Sequence, residues 1–213
     1  EIDINPFAID EYGGIVLDAK IVLDNQDFSK LGPYSHLVIS PYPKEQISQF
    51  TMKNKKKVTI RPIKPEDEPL EREMFKTFSK ETEHHRFFGE IGDISHELLQ
   101  RYTQIDYDRE MALIAELKDG KNSKMLGVVR LIVDPFNESA EFAIVVGDPW
   151  HNQGLGNHFT DNLLEFAKSK GVKRVHAKFY KDNEAMKHIF EERLFDIKEV
   201  DKKTLEAELV LDT

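Results

Sequence analysis

The chain has 213 residues, 39% hydrophobic and 32% charged, which is enough to bury a sizeable core in one domain with an appendage rather than in two full domains. It contains no cysteine, which excludes disulfides, thiolate zinc sites and a cysteine nucleophile together, so any group transfer must proceed without a protein thioester. The formal net charge of -9 argues against general nucleic-acid binding, which draws its affinity from clustered Lys and Arg. No run approaches the ~20 apolar residues of a membrane span and no charged-then-apolar leader opens the sequence, so a cytoplasmic protein without membrane contact is expected.

In chain order, EIDINPFAID and IVLDAKIVLD flank the glycine turn EYGG and predict a strand hairpin. Two isolated strands are marginal in water, so the hairpin reads as having lost its parent domain. EIDINP followed by LDAK resembles the closing hairpin of the ATP-grasp domain in NDP-forming acyl-CoA synthetases. In that family an Asn and a later Asp hold the nucleotide's magnesium, which the resemblance maps onto Asn5 and Asp18. The rest of an ATP site is absent, and a structural hairpin is expected rather than nucleotide binding.

Residues 24 to 57 carry Gly32-Pro33, Pro41 and Pro43 between two short apolar runs, LVIS and ISQFTM, and read as a linker that ends in a strand. ISQFTM, the KNKKK turn and VTIRPI predict a hairpin that contains the single basic cluster, Lys53 with Lys55 to Lys57. Pro65-Glu-Asp-Glu then opens a helix, because acids are favoured near a positive helix end. The boundary falls near residue 50, giving an appendage at 1–49 and a main domain at 50–213. Within the latter the pattern predicts a strand near 58–62, helices near 66–80 and 95–104, and strands near 111–117, 125–133 and 139–146. A helix at 154–169, a strand at 173–180, a helix at 183–192 and terminal strands from 195 follow. The class is α/β or α+β, with a central mixed β-sheet flanked by helices.

HNQGLGNHF, residues 151–159, stands where the strand AEFAIVV hands over to a helix. Unpaired N–H groups and about half a positive charge make a helix N-terminus an anion site, and glycines let a phosphate approach its backbone. Leu155, Phe159, Leu163, Phe166 and Ala167 share one helical face and Gly171 fits a C-cap, which supports a helix behind Gly154 and Gly156. No Gly-Lys-Ser/Thr follows, so this is not a Walker motif, and the third glycine of a dinucleotide fingerprint is missing. On spacing alone a tight structural turn competes with an anion site.

Strand, short loop, x-x-Gly-x-Gly, helix, strand and Asn-x-x-Met together resemble the GNAT acyltransferase superfamily over about residues 50–213. RFFGEIGDISHELLQRYTQIDYDREMALIAE, residues 86–116, is similar to the acetyltransferase domain of bacterial Pat-type protein lysine acetyltransferases. There the domain is fused to an acyl-CoA synthetase-like region, which would account for the N-terminal hairpin. The resemblance implies acetyl-CoA as co-substrate, its pyrophosphate held by main-chain donors of Gln153, Gly154, Leu155, Gly156 and Asn157. It implies that Val145 and Val146 pair with the pantetheine arm and that Asn183 contacts the cofactor, although an N-cap is an equally good structural reason for Asn183. His151 departs from the family's Gln or Arg and is left out of catalysis. Phe190 replaces a Tyr proposed as general acid, and Arg193-Leu194-Phe195 replaces Leu-Gly-Phe, so the thiolate must leave unassisted or take a proton from water.

Glu141 matches the Glu proposed as general base in Pat-type enzymes. Alternation places Glu141, Ala143 and Val145 on one strand face and Phe142, Ile144 and Val146 on the other. A carboxylate in a mostly apolar strand suits a base working near neutrality, while an edge charge or a partner for Arg130 is the structural alternative. Glu138 is the fallback base. Glu83, Asp106, Asp108 and Glu110 are candidate partners for a lysine acceptor, or simply a solvated face. His84-His85 lacks metal-ligand spacing and His96-Glu97 has no second His for HExxH, so no metal is expected. The expected activity is acetyl transfer to a protein lysine, with an acyl-CoA synthetase as acceptor. A small-molecule amine acetyltransferase and a non-catalytic acetyl-CoA sensor remain alternatives.

Overall fold

The computed structural model describes residues 2–4, 6–21, 40–89, 91–92, 94–120, 122–134, 136 and 138–211. The chain divides into two units, residues 1–38 and 39–213. In the first, β1 (Ile2–Ile4), β2 (Phe7–Asp10), β3 (Gly13–Val16) and β4 (Ala19–Ile21) form two antiparallel ladders, β1 with β4 and β2 with β3. Asp10 closes the central turn by accepting the N–H groups of Tyr12 and Gly13. Ile4, Phe7, Ile9, Ile15 and Leu17 are all exposed, so the described part of this unit buries no core. Asp18 is exposed between β3 and β4, whereas Asn5 and residues 24–39 of the expected linker lie outside the described residues.

The second unit is built on one eight-stranded sheet. Its elements are β5 (Ser48–Thr51), β6 (Lys57–Pro62), α1 (Glu68–Phe75), α2 (Lys80–Phe87), α3 (His96–Thr103), β7 (Glu110–Asp119), β8 (Asn122–Val133) and β9 (Ser139–Val146). They continue with α4 (Leu155–Ser169), β10 (Arg174–Tyr180), α5 (Glu184–Glu191), β11 (Asp196–Glu199) and β12 (Thr204–Val210). The strand order is β11-β12-β10-β9-β8-β7-β6-β5, and every pair is antiparallel except β9 with β10. This unit starts ahead of residue 50 because Tyr42 is tied into it: its hydroxyl donates to Pro62 O at 2.8 Å and its ring meets that of Tyr107 edge-on.

Strand alternation gives the sheet two apolar faces, each covered by helices. On one, Leu155, Phe159, Leu163 and Ala167 of α4 and Phe190 of α5 pack on Leu131, Phe142, Val175 and Phe179. On the other, Met74 and Phe75 of α1 and Leu99 of α3 pack on Ala112, Ile114, Val128 and Val145. The helix expected over 66–80 is two helices. The first ends at Phe75, where Thr77 Oγ1 bonds back to Met74 O, and Ser79 starts another by accepting the N–H of Thr82. That second helix, KETEHHRF, buries no residue completely, so its sequence carries almost no apolar period to read.

Candidate active site

β9 and β10 pair at only three positions, Ser139 with Arg174, Ala140 with Val175 and Glu141 with His176. Beyond them the strands part, although β9 runs on to Val146 and β10 to Tyr180. The N–H of Gly147 donates to Leu126 O at 2.8 Å, which fixes the hydrogen-bonding phase of the β8–β9 ladder. In that phase the backbone groups of Val145 face β8, whereas those of Ile144 and Val146 face the gap. Val146 therefore presents backbone to the fork, and Val145 packs its side chain on the α1–α3 face. The Val146 carbonyl accepts His151 Nε2 at 2.8 Å; a carbonyl only accepts, so Nε2 carries the proton. No backbone acceptor on β8 or β10 remains for the Val146 N–H.

Glu141 sits at the point of divergence, on the same face as Val145. It is exposed, and among the described residues its carboxylate has no hydrogen-bond or salt-bridge partner. Both structural alternatives for it fall away: β9 is an interior strand, and Arg130 is bound instead to Glu110 and to Tyr102 O. Glu138 is tied to Lys173 at 3.1 Å. Register alone brings His176 beside Glu141, a neighbour 35 residues away in sequence that no local pattern could disclose.

The turn after β9 is held by Asp148, which accepts the N–H of Ser79 at 3.1 Å and the hydroxyl of Thr82 at 2.7 Å. Burial opposes ionisation of Asp148, but these hydrogen bonds outweigh it and keep its carboxyl below the usual range. The same contacts anchor the start of α2, which packs across both arms of the fork. The other end of α2 is fastened by the His84 ring stacked 4.4 Å from Tyr180 and by His85 against Asp182 at 3.1 Å. The paired histidines are thus fasteners, and among the described residues no group of three or more His, Asp or Glu side chains could hold a metal ion.

Gly154 takes φ +87° as the residue before α4, a conformation that costs a side-chain-bearing residue about 1–2 kcal/mol. No side chain caps the helix. His158 is the first residue of the turn to bond back, to Gly154 O at 3.1 Å, which leaves the N–H groups of Leu155, Gly156 and Asn157 without an acceptor among the described residues. Gly156 lies against α5, where a Cβ would come within 3.0 Å of Ile189 Cδ1. Gln153 turns the other way, its Oε1 accepting the N–H of Asn54 and its carbonyl that of Lys53. The Asn157 side chain donates to Glu192, and Arg193 bridges Asn157 O and Asp161, so only the Asn157 main chain is directed to the loop. Asn183 caps α5 by accepting the N–H of Met186. Phe190 is fully buried among Phe142, Phe179 and Phe195, so the place where a general acid would stand is core.

Of the candidate acceptor acids, Glu110 is held by Arg130, Asp106 orders its own turn by accepting the N–H of Asp108, and Asp108 lies 3.7 Å from Arg109. Glu83, on α2, has no polar side-chain partner among the described residues. Behind the fork, Glu71 is 1% exposed, and a buried oxygen of its carboxylate and the Nε of Arg86 face a small cavity without a protein partner. Burial pushes the Glu71 carboxyl up to about 7, against the opposing pull of the Arg130 and Arg86 cations.

Residues 57–193 match the family model described as an acetyltransferase (GNAT) domain, more than half of the chain. The chain belongs to the GNAT acetyltransferase family. Over 132 residues it is 29% identical to a Pseudomonas aeruginosa acetyltransferase, covering 62% of this chain and 71% of that one. It is 27% identical over 133 residues to the acetyltransferase Pat of Mycolicibacterium smegmatis, covering 62% of this chain and 39% of Pat. The GNAT domain of S. lividans PAT superposes with a TM-score of 0.71 at 20% identity, over 80% of this chain and all of that domain, which establishes the GNAT fold. GNAT acetyltransferases use acetyl-CoA as co-substrate.

Proposed function

We propose that this GNAT chain transfers the acetyl group of acetyl-CoA directly to a protein lysine, with an acyl-CoA synthetase as acceptor and Glu141 as general base. The observation that carries this is the unpartnered Glu141 carboxylate at the fork of β9 and β10, on the strand that leads into the glycine loop. The Pat relatives support a protein acceptor. The resemblance of the first 21 residues to an ATP-grasp hairpin, together with their exposed apolar side chains, supports an origin beside an acyl-CoA synthetase-like region.

The main-chain N–H groups of Leu155, Gly156 and Asn157 and the loop at Gln153 and Gly154 fit a diphosphate, because the donors are aligned with the helix dipole and no side chain competes for them. With that end anchored, the pantetheine arm follows the gap along β9 and Asn183 lies where the helix after β10 begins. A lysine ammonium has a reference pKa of about 10.4, so presenting the free amine at pH 7 costs about 4.6 kcal/mol unless a base accepts its proton. Glu141, directly or through one water, takes that proton as the amine nitrogen bonds to the thioester carbon. Negative charge gathers on the carbonyl oxygen and is met by the Val146 N–H; the C–S bond then breaks, and the thiolate departs and takes a proton from water.

The test is incubation with acetyl-CoA and either an acyl-CoA synthetase or free polyamines, followed by mass spectrometry. Acetyl-lysine on the synthetase that disappears with Glu141→Gln is the expected outcome. Acetylated polyamine with an unmodified synthetase would replace the protein acceptor by a small amine.

A further inference from the structure

Strand β5 and the turn after it precede the span matched by the family model, yet they brace the glycine loop. Lys53 N–H donates to Gln153 O at 3.2 Å and Asn54 N–H to Gln153 Oε1 at 3.1 Å. The Phe50 ring stacks on His158 of α4 with centroids 4.2 Å apart. The turn is internally fixed: Met52 N–H donates to Lys56 O, Lys55 N–H to Met52 O and Lys56 N–H to Asn54 Oδ1, all within 3.0 Å. Its lysines Lys53, Lys55 and Lys56 are exposed, and none belongs to an ion pair among the described residues. The Lys56 ammonium lies 5.6 Å from the centre of the Trp150 ring, in the segment that leads into the loop. In a chain of net charge -9, unpaired cations on an internally bonded turn that is tied to Gln153, two residues ahead of the unpartnered helix amides, mark a place for an anion larger than one phosphate.

We propose that Lys53, Lys55 and Lys56 bind phosphate groups at the nucleotide end of acetyl-CoA, extending the anion site from the α4 amides onto the turn between β5 and β6. This rests on the glycine loop being the coenzyme site. The lysine ammonium groups are mobile point charges that tolerate more than one phosphate position, whereas the helix amides fix one.

The experiment is calorimetric titration of the full chain with acetyl-CoA and with its analogue lacking the 3′-phosphate. Wild type is compared with the triple variant Lys53→Gln, Lys55→Gln, Lys56→Gln and with the corresponding triple Arg variant; thermal unfolding checks that each is folded. The Gln variant should bind acetyl-CoA about tenfold or more weakly, with a flatter salt dependence, and the Arg variant should retain affinity. Loss confined to acetyl-CoA assigns the lysines to the 3′-phosphate, and equal loss for both ligands assigns them to the diphosphate; either supports the site. A folded Gln variant with wild-type affinity for both ligands overturns it and leaves the glycine loop standing. Wild type that binds neither ligand overturns the loop itself.

Discussion

At the scale of single residues, Glu141→Gln keeps the shape of the side chain and removes its basicity. It should slow turnover by ~10² or more while leaving acetyl-CoA affinity nearly unchanged, measured as kcat against a direct binding titration. Glu71 predicts a pH effect on stability rather than on chemistry. Its folded pKa of about 7 lies above the ordinary value of 4.5, so the folded state holds a proton that the unfolded state releases between those values. The stabilising contribution is complete below about pH 4.5 and is lost as pH rises through 7. Glu71→Gln should therefore remove a fall in stability on the order of 3 kcal/mol across that window, read from urea midpoints at several pH values. Leu194 is 86% exposed with φ +60°, a left-handed conformation that favours glycine. It loses no packing on replacement, so Leu194→Gly should stabilise the chain by about 0.5–1 kcal/mol in denaturant unfolding.

At the scale of elements, what could be read depended on whether an element advertises itself by burial. SAEFAIVV has strand alternation and turn signals at both ends, and its expected bounds coincide with β9. The α4 stripe of Leu155, Phe159, Leu163, Phe166 and Ala167 is buried as its spacing indicates. Helix α2 reads as a continuation of its predecessor because, Phe87 apart, it docks through polar side chains, with Thr82 on Asp148, His85 on Asp182, Arg86 at the small cavity and the exposed His84 stacked on Tyr180, rather than through an apolar stripe. Asp148 is the clearest case of a residue with no local signal, since its partners Ser79 and Thr82 lie 69 and 66 residues away. Asp148→Ala should cost about 1–3 kcal/mol by removing the hydrogen bonds that Ser79 and Thr82 donate to a charged acceptor. It should also speed amide hydrogen exchange across 80–87 before other helices respond; unchanged exchange there would detach α2 from the loop.

At the scale of the molecule, the family fold was legible because the order of strands and helices and the glycine loop are written locally, whereas the pairings that complete the site are not. The proximity of Glu141 to His176, of Arg130 to Glu110 and of the lysine turn to Gln153 arises only when the sheet closes. The division into two units carries its own expectation. Residues 39–213 contain both apolar clusters, so a fragment beginning at residue 39 should unfold in one cooperative transition in a thermal scan. The most direct test of the central claim is an amide NMR titration with acetyl-CoA. The largest shifts are predicted at the N–H groups of Leu155, Gly156, Asn157 and Val146. Saturable binding that leaves those four amides unmoved would contradict the account.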